Sequence, residues 1–402
     1  MRILVLTSTF PRWAGDREPP FVFELCRRLA ARHEVLVIAP HCPEAAAAER
    51  LGERLSVRRF RYAPQGLESL AYEGGILEKL RRAPWRHALI PAFLAGELLA
   101  AWRAIRDHRP DVIHAHWMIP QGLVALLARA AAGSGRIPFV CTSHGADLFA
   151  LRGMLASRLK ARVARAAAAL TVVSAAMKTR AVLLGAAADK VQVMPMGVDA
   201  RERFVPDARV PREGREVLFV GRLVEKKGVV HLLRAFALVK QAVAAAHLTV
   251  IGAGPLEPEL RATASDLGIA GAVTFRGAVD NAALADHYRR AALLVMPSIV
   301  ARDGDQEGLG LVVAEALACE CPVVASDLPA VRDVIRDGAT GLLAHEADPP
   351  DLADKMLAVL RDPVHARDLA RRGRELVLER LDWSSVAHGY EALLCAVGGR
   401  PL

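Results

Sequence analysis

Short apolar runs rich in β-branched residues alternate with longer alanine- and leucine-rich segments along most of the chain. In the first half the runs are RILVLTS, EVLVIAP, DVIHAH and FVCTS, and a helix is expected near Val22 to Arg32. A second series begins with EVLFVGR and continues through HLTVIGAG, AVTFRG, LLVMPS and PVVAS. This alternation is typical of βαβ units with a parallel sheet. Two series therefore predict an α/β chain with two doubly wound domains.

The segment between the two series, Asp199–Arg215, contains two prolines and a glycine and has no steady apolar period, so we interpret it as a linker. A chain of 402 residues also exceeds what one core usually supports. We predict domains over residues 1–200 and 201–380, followed by a helix over residues 381–402. The sequence leaves the destination of that helix open, and a return to the N-terminal domain is one option.

Cysteine usage and hydropathy indicate where the chain resides. The six cysteines are scattered in mostly apolar surroundings, which favours reduced core thiols over a disulfide framework. The N-terminus has only four consecutive apolar residues before Thr7, too few for the centre of a signal peptide. No uncharged run approaches the roughly 20 residues of a membrane span. We expect a cytoplasmic protein.

The net charge is divided unevenly along the chain. Residues 1–200 hold 28 Lys and Arg against 16 Asp and Glu, or +12, whereas residues 201–402 hold 25 against 28, or −3. A basic half suggests an acidic partner such as anionic lipid, a phosphorylated acceptor or nucleic acid; the alternative is a solvated arginine-rich surface. The basic segment Arg81–His87 precedes ALIPAFLAGELLAAW, which is apolar enough to lie on a membrane surface. Pro91 and Glu97 argue against insertion, and an amphipathic core helix explains the segment nearly as well.

Two carboxylates, Glu307 and Glu315, frame the segment EGLGLVVAE between a strand-like run and a helix-like run. Eight positions of helix span roughly 12 Å, so the two acids suit well-separated hydroxyls of one nucleotide sugar. The amides of Gly308, Leu309 and Gly310 would open the helix as donors to an anion. The alternative is a capping acid followed by an ordinary helical Glu.

Cations follow the first strand of the second series. Arg222, Lys226 and Lys227 precede a helix, at the carboxyl end of a strand where open parallel sheets bind ligands. They suit a diphosphate, because fixed cations stabilise the charge that a leaving diphosphate gains. Considered one at a time, Arg and Lys residues at strand ends are more often solvated than bound to a ligand.

Two other features of the chain point away from metal and dinucleotide cofactors. Asp303-Gly-Asp305 resembles a cation-binding pair, but we interpret it as a solvated loop beside lysines that neutralise phosphate. Gly252-Ala-Gly254-Pro255 lacks the third glycine of a dinucleotide fingerprint, so we expect a tight turn.

Histidines follow two strands of the first series. His144 leaves the strand FVCTS beside Gly145, which gives access, and three residues before Asp147. It is placed to hydrogen-bond a sugar hydroxyl or the reacting centre, although a lone strand-end histidine is often structural. His114 and His116 share one face of the preceding strand, but no third ligand lies at metal spacing, so no metal is expected.

The motifs HAHW, SHGAD, MPMGVD, FVGRLVEKKG, IGAGPL, FRGAV and EGLGLVVAEALACECPVVAS occur in this order over nearly the full chain. Together they resemble the large retaining glycosyltransferase family of GT-B fold, with its Glu-x7-Glu motif, that includes many bacterial exopolysaccharide and lipopolysaccharide enzymes. The resemblance implies two Rossmann-like domains that face each other across a cleft. The donor would bind chiefly to the second domain and the acceptor to the basic first domain.

The resemblance also assigns roles to residues. Arg222 and Lys227 would grip the donor diphosphate, Glu307 would hold donor-sugar hydroxyls, and Glu315 would hold the ribose. His144 would touch the sugar near the reaction centre, which makes His144 and Glu307 the expected catalytic residues. Gly145 and Asp147 join the donor-binding set, and the nucleobase would lie against the backbone near Gly277 and Val279.

The first loop departs from the family pattern, in which paired glycines follow the opening strand. This chain has TFPRWAGDREPPF, with Gly15 beside Asp16. On one interpretation Gly15 lets an amide approach the donor phosphate. The alternative is that Asp16 or Arg17 meets the acceptor.

The expected activity is therefore metal-independent transfer of a hexosyl group, with retention, to a glycan, lipid-linked or small-molecule acceptor. The donor would be a UDP-sugar in the first instance, or a GDP-sugar. No cofactor and no nucleic-acid partner are expected, and peripheral contact with the anionic inner face of the cell membrane is left open. The alternatives are a nucleotide-sugar epimerase of the same fold and a nonenzymatic binder of anionic surfaces.

Overall fold

The computed structural model describes residues 1–13, 15–16, 18, 20–72, 75–149, 151, 153–280 and 283–401. The chain divides into two compact units. Unit 1 comprises Met1–Val173, Met177–Met194 and Ala387–Leu402, and unit 2 comprises Ser174–Ala176 and Pro195–Val386. The sequence placed the domain boundary a few residues later, at residue 200, and the segment that it assigned to a linker lies within unit 2.

The sheet of unit 1 has eight strands. They are β1 (Arg2–Leu6), β2 (Glu34–Pro40), β3 (Ala48–Arg50), β4 (Leu55–Phe60), β5 (Val112–His116), β6 (Phe139–Ser143), β7 (Ala169–Val172) and β8 (Val191–Val193). Their order is β3-β4-β2-β1-β5-β6-β7-β8. The pairs are parallel except β3 with β4, and β1 pairs with β5 from Ile3–Val112 to Leu6–Ala115. The central strands are buried throughout, which is why they read as continuous apolar runs.

The sheet of unit 2 has six strands, all parallel to their neighbours. They are β9 (Glu213–Val220), β10 (His247–Ile251), β11 (Val273–Gly277), β12 (Ala291–Met296), β13 (Val323–Ser326) and β14 (Leu342–Ala344). Their order is β11-β10-β9-β12-β13-β14. Every run that the sequence singled out forms a strand, so the prediction of an α/β fold with two doubly wound sheets is confirmed.

Helices connect the strands in both units. They are α1 (Phe21–Leu29), α2 (Ile76–Arg82), α3 (Ile90–His108), α4 (Leu123–Ala131), α5 (Ala146–Phe149), α6 (Met154–Ala166), α7 (Ala175–Leu183), α8 (Val229–Ala242), α9 (Glu257–Asp266), α10 (Leu284–Arg290), α11 (Leu311–Ala318), α12 (Pro349–Arg361), α13 (Pro363–Arg380) and α14 (Trp383–Val397). Single turns of 3-10 helix occur at Ala188–Lys190, Glu225–Lys227, Ala270–Ala272 and Val331–Asp333, a longer 3-10 helix at Pro84–Leu89, and a π-turn at Met118–Gly122.

Helix α8 shows how the helices cover the sheets. Its inward positions Leu232, Leu233 and Phe236 are fully buried and pack with Val217 of β9 and Leu248 of β10 in one core cluster. Truncating one such leucine to alanine typically costs about 2–5 kcal/mol of folding free energy. The six cysteines are buried and free, which agrees with the predicted core thiols.

The last helix, α14, ends in unit 1. The Tyr390 hydroxyl donates to the Met194 carbonyl oxygen at 2.9 Å, and Glu391 Oε1 lies 2.9 Å from His33 Nε2. Arg400 also donates to Asp111 at 2.9 Å. The C-terminal residues from Ala387 onward thereby complete the N-terminal unit.

One helical stretch among the described residues, Pro84–His108, is long and apolar enough to cross a membrane by length and composition. The sequence did not single it out as a span. Its inward face, with Phe93, Ala101 and Ile105, is buried in unit 1, although only 28% of its most apolar window is buried. Because helices of soluble cores pass the same test, the stretch is weak evidence for a membrane span.

Candidate active site

In unit 2 the strand order reverses at β9, since β10 lies on one side of it and β12 on the other. Such a switch point opens a crevice outside the carboxyl ends of the strands, where open parallel sheets bind ligands. The loop after β9 carries Arg222, Lys226 and Lys227, and the loop after β12 carries Glu307. The predicted cations and the first predicted acid therefore belong to the two loops that border this crevice.

Two glycines hold these loops close to β12. Gly228, the N-cap of α8, has a φ of +62°, and a Cβ there would lie 1.9 Å from the Pro297 carbonyl oxygen. Gly310, the N-cap of α11, has a φ of +79°, and its Cβ would lie 2.9 Å from Met296 Sδ. A side chain at position 228 would collide with backbone, and one at position 310 would be strained by the positive φ and would push the Met296 side chain aside.

Lys227 and Glu307 form an ion pair in the crevice. Lys227 Nζ donates to Glu307 Oε2 at 2.5 Å, and the two side chains are only 13% and 14% exposed. Burial alone would raise the pKa of Glu307, but Lys227 and Lys226 outweigh it and lower that pKa to about 2. Glu307 is therefore a carboxylate at every working pH, suited to accept hydrogen bonds from hydroxyls and unsuited to give up a proton.

A second pair lies beside the first. Lys226 Nζ lies 3.2 Å from Asp305, with side chains 21% and 16% exposed. The Asp305 amide donates to Asp303 Oδ1 at 2.8 Å. The interpretation of this stretch as a plain solvated loop needs correction, because Asp305 neutralises a lysine of the site.

Glu315 lies in the second turn of α11, and Glu307 lies in the loop before that helix, as the sequence predicted. Its Oε2 accepts a hydrogen bond from the hydroxyl of Tyr288, on α10, at 2.8 Å. Burial raises the pKa of Glu315, while the Tyr288 hydrogen bond and Arg203 act to lower it. Tyr288 is fully buried and fixes the direction of the Glu315 carboxylate.

The start of α11 supplies backbone donors. Gly308, Leu309 and Gly310 are buried, and no side chain caps the helix. The Gly308 amide acts with the two lysines to lower the pKa of Glu307. The sequence had assigned that amide to an anionic ligand, and this assignment stays a prediction.

The proposed nucleobase contacts lie at the carboxyl end of the edge strand β11. Gly277 ends that strand, and its carbonyl oxygen accepts a hydrogen bond from the Gly252 amide at 2.8 Å. Val279 follows and is half-buried. Gly252 belongs to the predicted tight turn after β10, whose Ala253 carbonyl accepts from the Leu223 amide at 3.0 Å.

Unit 1 has its own switch point, between β1 and β5. Phe21 begins the helix after β1, Trp117 follows β5, and His144 follows β6. The His144 ring centroid lies 4.9 Å from that of Phe21 and 4.8 Å from that of Trp117. The predicted His144 is thus part of an aromatic cluster at the carboxyl ends of these strands.

Beneath this cluster lie the other two histidines of the predicted set. His116 Nδ1 is 3.0 Å from His144 Nε2, and His114 Nε2 is 2.7 Å from Thr142 Oγ1. Burial and the neighbouring His114 lower the pKa of His144 to about 3. Burial likewise lowers the pKa of His114 to about 3, so the three rings are neutral at physiological pH.

Asp147 is buried and bonded internally. Its Oδ2 accepts from the Met118 amide at 2.7 Å, and its Oδ1 accepts from the Ser143 hydroxyl at 2.8 Å. It therefore ties the loop after β5 to the end of β6, with the buried Gly145 in the turn between His144 and α5. Both carboxylate oxygens of this predicted donor-binding residue already have protein partners.

The loop after β1 contains the last predicted site residues. Gly15 is exposed with a φ of +81°. The neighbouring Asp16 accepts from Arg12 Nε at 2.9 Å and from Arg12 Nη2 at 2.8 Å. This bidentate pair occupies Asp16, which does not favour the predicted contact with the acceptor, and Arg17 lies outside the described residues.

Comparison with known proteins places the chain in a family. Residues 200–376 match the family described as glycosyl transferases group 1, and residues 20–202 match glycosyltransferase family 4. A phosphatidyl-myo-inositol mannosyltransferase of Mycobacterium tuberculosis is 33% identical over 382 residues, which cover 91% of this chain and 89% of that protein. The chain belongs to glycosyltransferase family 4, group 1.

Two further proteins show how far the likeness extends. A GDP-mannose-dependent alpha-(1-6)-phosphatidylinositol monomannoside mannosyltransferase of Mycolicibacterium smegmatis is 28% identical over 95% of both chains. Sucrose-phosphate synthase from Thermosynechococcus elongatus has a TM-score of 0.80 at 23% identity, over 98% of both chains. The GT-B fold of this glycosyltransferase is therefore confirmed.

Sequence reasoning missed three side chains that the glycosyltransferase brings into the two sites. Tyr288 lies in an unremarkable helical segment, and only the fold reveals that its hydroxyl reaches Glu315. Trp117 was part of the HAHW motif, but nothing local indicated its contact with His144. Phe21 carried no signal, since an aromatic residue at a helix start is usually core.

Proposed function

We propose that this glycosyltransferase transfers a hexosyl group from a nucleotide sugar with retention of anomeric configuration and without a metal ion. The observation that carries the proposal is the Lys227–Glu307 pair at the switch point of unit 2, with a permanently ionised acid and a cation 2.5 Å apart. Donor binding would part the two side chains. Lys227, with Arg222, would then face the diphosphate, and Glu307 would accept hydrogen bonds from sugar hydroxyls.

The same chemistry favours a front-face reaction. As the bond from the anomeric carbon to the phosphate oxygen breaks, the departing oxygen gains negative charge that Lys227 and Arg222 stabilise. The acceptor hydroxyl gives its proton to that oxygen and forms the new bond on the same face, so configuration is retained. Glu307 takes no proton, because its pKa of about 2 makes it a poor base.

Donor binding is the direct test. Thermal melting of the full chain with UDP-glucose, UDP-galactose, UDP-N-acetylglucosamine and GDP-mannose should show a rise in Tm with one sugar nucleotide, growing with the logarithm of its concentration. Release of UDP or GDP should follow when an acceptor is added. A chain that binds none of these compounds, or that epimerises the free donor, contradicts the proposal. Proton NMR of the first product reports the anomeric configuration.

Metal independence has its own support. Among the described residues, the group of potential metal ligands is Glu213, Glu216 and His247. Glu213 and His247 are the first residues of β9 and β10, at the opposite end of the sheet from the loops that bear Lys227 and Glu307. We expect transfer to be unchanged by EDTA, and a requirement for Mg²⁺ or Mn²⁺ would refute this part of the proposal.

We further propose that unit 1 touches an anionic membrane. Helix α2 ends in Arg81 and Arg82, and the adjoining 3-10 helix exposes 53% of Trp85 beside Arg86. Leu99 of α3 is 46% exposed on the same stretch. Basic residues beside exposed apolar side chains suit the headgroup region. Salt-sensitive cosedimentation with phosphatidylglycerol vesicles, lost in Trp85→Ser, would support this contact; equal binding to neutral vesicles would count against it.

A further inference from the structure

Three aromatic rings lie against one another at the switch point of unit 1. Phe21, Trp117 and His144, here called the aromatic patch, are each partly exposed. Their ring centroids lie 4.8 to 6.2 Å apart. Because the patch lies where a doubly wound sheet binds ligands, its exposed rings are candidates for contact with a substrate.

The backbone of Trp117 is held in an unusual conformation. Its φ is +76°, in the left-handed half of the map that bulky residues avoid. The Trp117 amide donates to the Thr142 carbonyl at 2.6 Å, and its carbonyl accepts from the Gly122 amide at 2.9 Å. A Cβ at Gly122 would lie 2.7 Å from Val163 Cγ1, so this support tolerates little change. Glycine would fit position 117 with less strain, yet this position is occupied by tryptophan, the largest aromatic residue type.

The chemistry of the patch suits an uncharged ligand. His144 is neutral at physiological pH, and the nearby Asp147 is buried and bonded to Ser143 and Met118. The face of an aromatic ring carries partial negative charge. It therefore attracts the weakly positive C–H bonds on one face of a pyranose ring and offers nothing to a diphosphate.

We propose that the aromatic patch stacks against the apolar face of a pyranose ring in the acceptor, with Trp117 as the principal platform. The inference rests on the proposed function and adds to it the chemical class of the acceptor, a pyranoside. His144 borders this platform, and the buried His116 fixes the direction of its ring. Trp117 is a specificity-determining residue of the transfer.

Saturation-transfer NMR of the full chain with methyl α-D-mannopyranoside, methyl α-D-glucopyranoside and methyl β-D-galactopyranoside tests the contact. We expect saturation on the protons of one ring face for at least one glycoside. That signal should fall about tenfold in Trp117→Ala and severalfold in Trp117→Phe, as the loss of a stacking contact predicts. Trp102→Phe is the matched control, because Trp102 lies on α3 beneath the Arg106 guanidinium. Equal signals in wild type and Trp117→Ala, or no signal in wild type, would overturn the proposal.

A second measurement separates this inference from the proposed function. The nucleotide sugar that raises the Tm of wild type should raise that of Trp117→Phe and Trp117→Ala equally, while the acceptor KM rises in both variants. An unchanged acceptor KM with intact donor binding refutes the acceptor assignment and leaves the transferase proposal standing. A weakened donor response with an unchanged acceptor KM would assign the patch to the donor instead, which also overturns the inference. Absence of any donor response in wild type would refute the proposed function itself.

Discussion

Units 1 and 2 have the same kind of sheet and the same kind of switch point, but the side chains at the two switch points differ in charge. In unit 2 the loops carry the pairs Lys227–Glu307 and Lys226–Asp305. In unit 1 the loops after β5 and β6 carry neutral imidazoles and aromatic rings, and the charged pair Arg12–Asp16 lies in the loop after β1. The fold thus offers a crevice in each unit without deciding what it binds. The charge of the loop residues makes the distinction, with phosphate chemistry suited to unit 2 and uncharged recognition suited to unit 1.

Breaking the buried pair of unit 2 should have the largest effect. We expect Lys227→Ala and Glu307→Gln each to lower kcat/KM by about 10³-fold, because each removes a charged contact to the transition state. Lys227→Ala should also destabilise the fold by about 3 kcal/mol, since it leaves a buried carboxylate unpaired. The double variant should regain stability but not activity. Steady-state kinetics and thermal melting measure both effects.

The exposed pair Arg302–Glu225 provides the control for that experiment. Its side chains are 97% and 46% exposed, so Arg302→Ala should change neither Tm nor kcat/KM appreciably.

The pH dependence of stability in unit 2 follows from the lowered pKa of Glu307. The stability that ionised Glu307 contributes is complete above about pH 4.5 and is lost as pH falls towards 2. Activity that survived Lys227→Ala would remove the distinction between the two units.

His144 tests whether the histidine at the switch point of unit 1 stays neutral during turnover. We expect His144→Asn to lower kcat by roughly 10 to 100-fold through the loss of one hydrogen bond near the reacting sugar. With a pKa of about 3, His144 is neutral from pH 5 upwards. The wild-type pH profile should therefore show no limb near 6.5 that the variant lacks. Such a limb would mean that His144 carries a proton during turnover, and the contrast between the units would fail.

The parts of the molecule that follow from local pattern were predictable from sequence. The central strands β1, β5, β9 and β12 were found because they are long, buried and β-branched. Strands β3, β7, β8 and β14 were missed, since runs of three or four residues show no period, and β4 was missed because two arginines interrupt its apolar residues. The loop positions of Lys227, Glu307 and His144 followed from their places after strands. The hydrogen-bond and ion-pair partners of these residues could not be predicted. The Asp147–Met118 and Asp305–Lys226 contacts join segments that are distant in sequence, and the spacing of motifs does not encode such contacts.

Glu97 of unit 1 extends the comparison to the core. It is fully buried, its Oε2 accepts from Gln121 Nε2 at 3.3 Å, and its Oε1 has no protein partner. Burial raises the pKa of Glu97 to about 8, against a smaller lowering by Gln121. Between about pH 4.5 and 8 the unfolded chain loses a proton that the folded chain keeps, so stability should fall by on the order of 5 kcal/mol as pH rises. Glu97→Gln should abolish this slope in pH-dependent melting; an unchanged slope would show that another group causes it.

Tyr288 gives the smallest and most selective effect, because it acts on unit 2 only through Glu315. The Tyr288 hydroxyl donates to Glu315 Oε2, so Tyr288→Phe keeps the buried ring and removes one hydrogen bond. The family resemblance implies that Glu315 holds the donor ribose. On that hypothesis a carboxylate that has lost one donor is held less firmly, and the donor KM should rise roughly three- to tenfold, or about 1 kcal/mol. The kcat at saturating donor should stay within twofold, since the ribose lies away from the reacting bond. Glu315→Gln should raise the donor KM further, and in that background Tyr288→Phe should add little. Additive effects of the two substitutions would show that Tyr288 acts by another route, and a loss confined to kcat would exclude a role for Glu315 in holding the ribose.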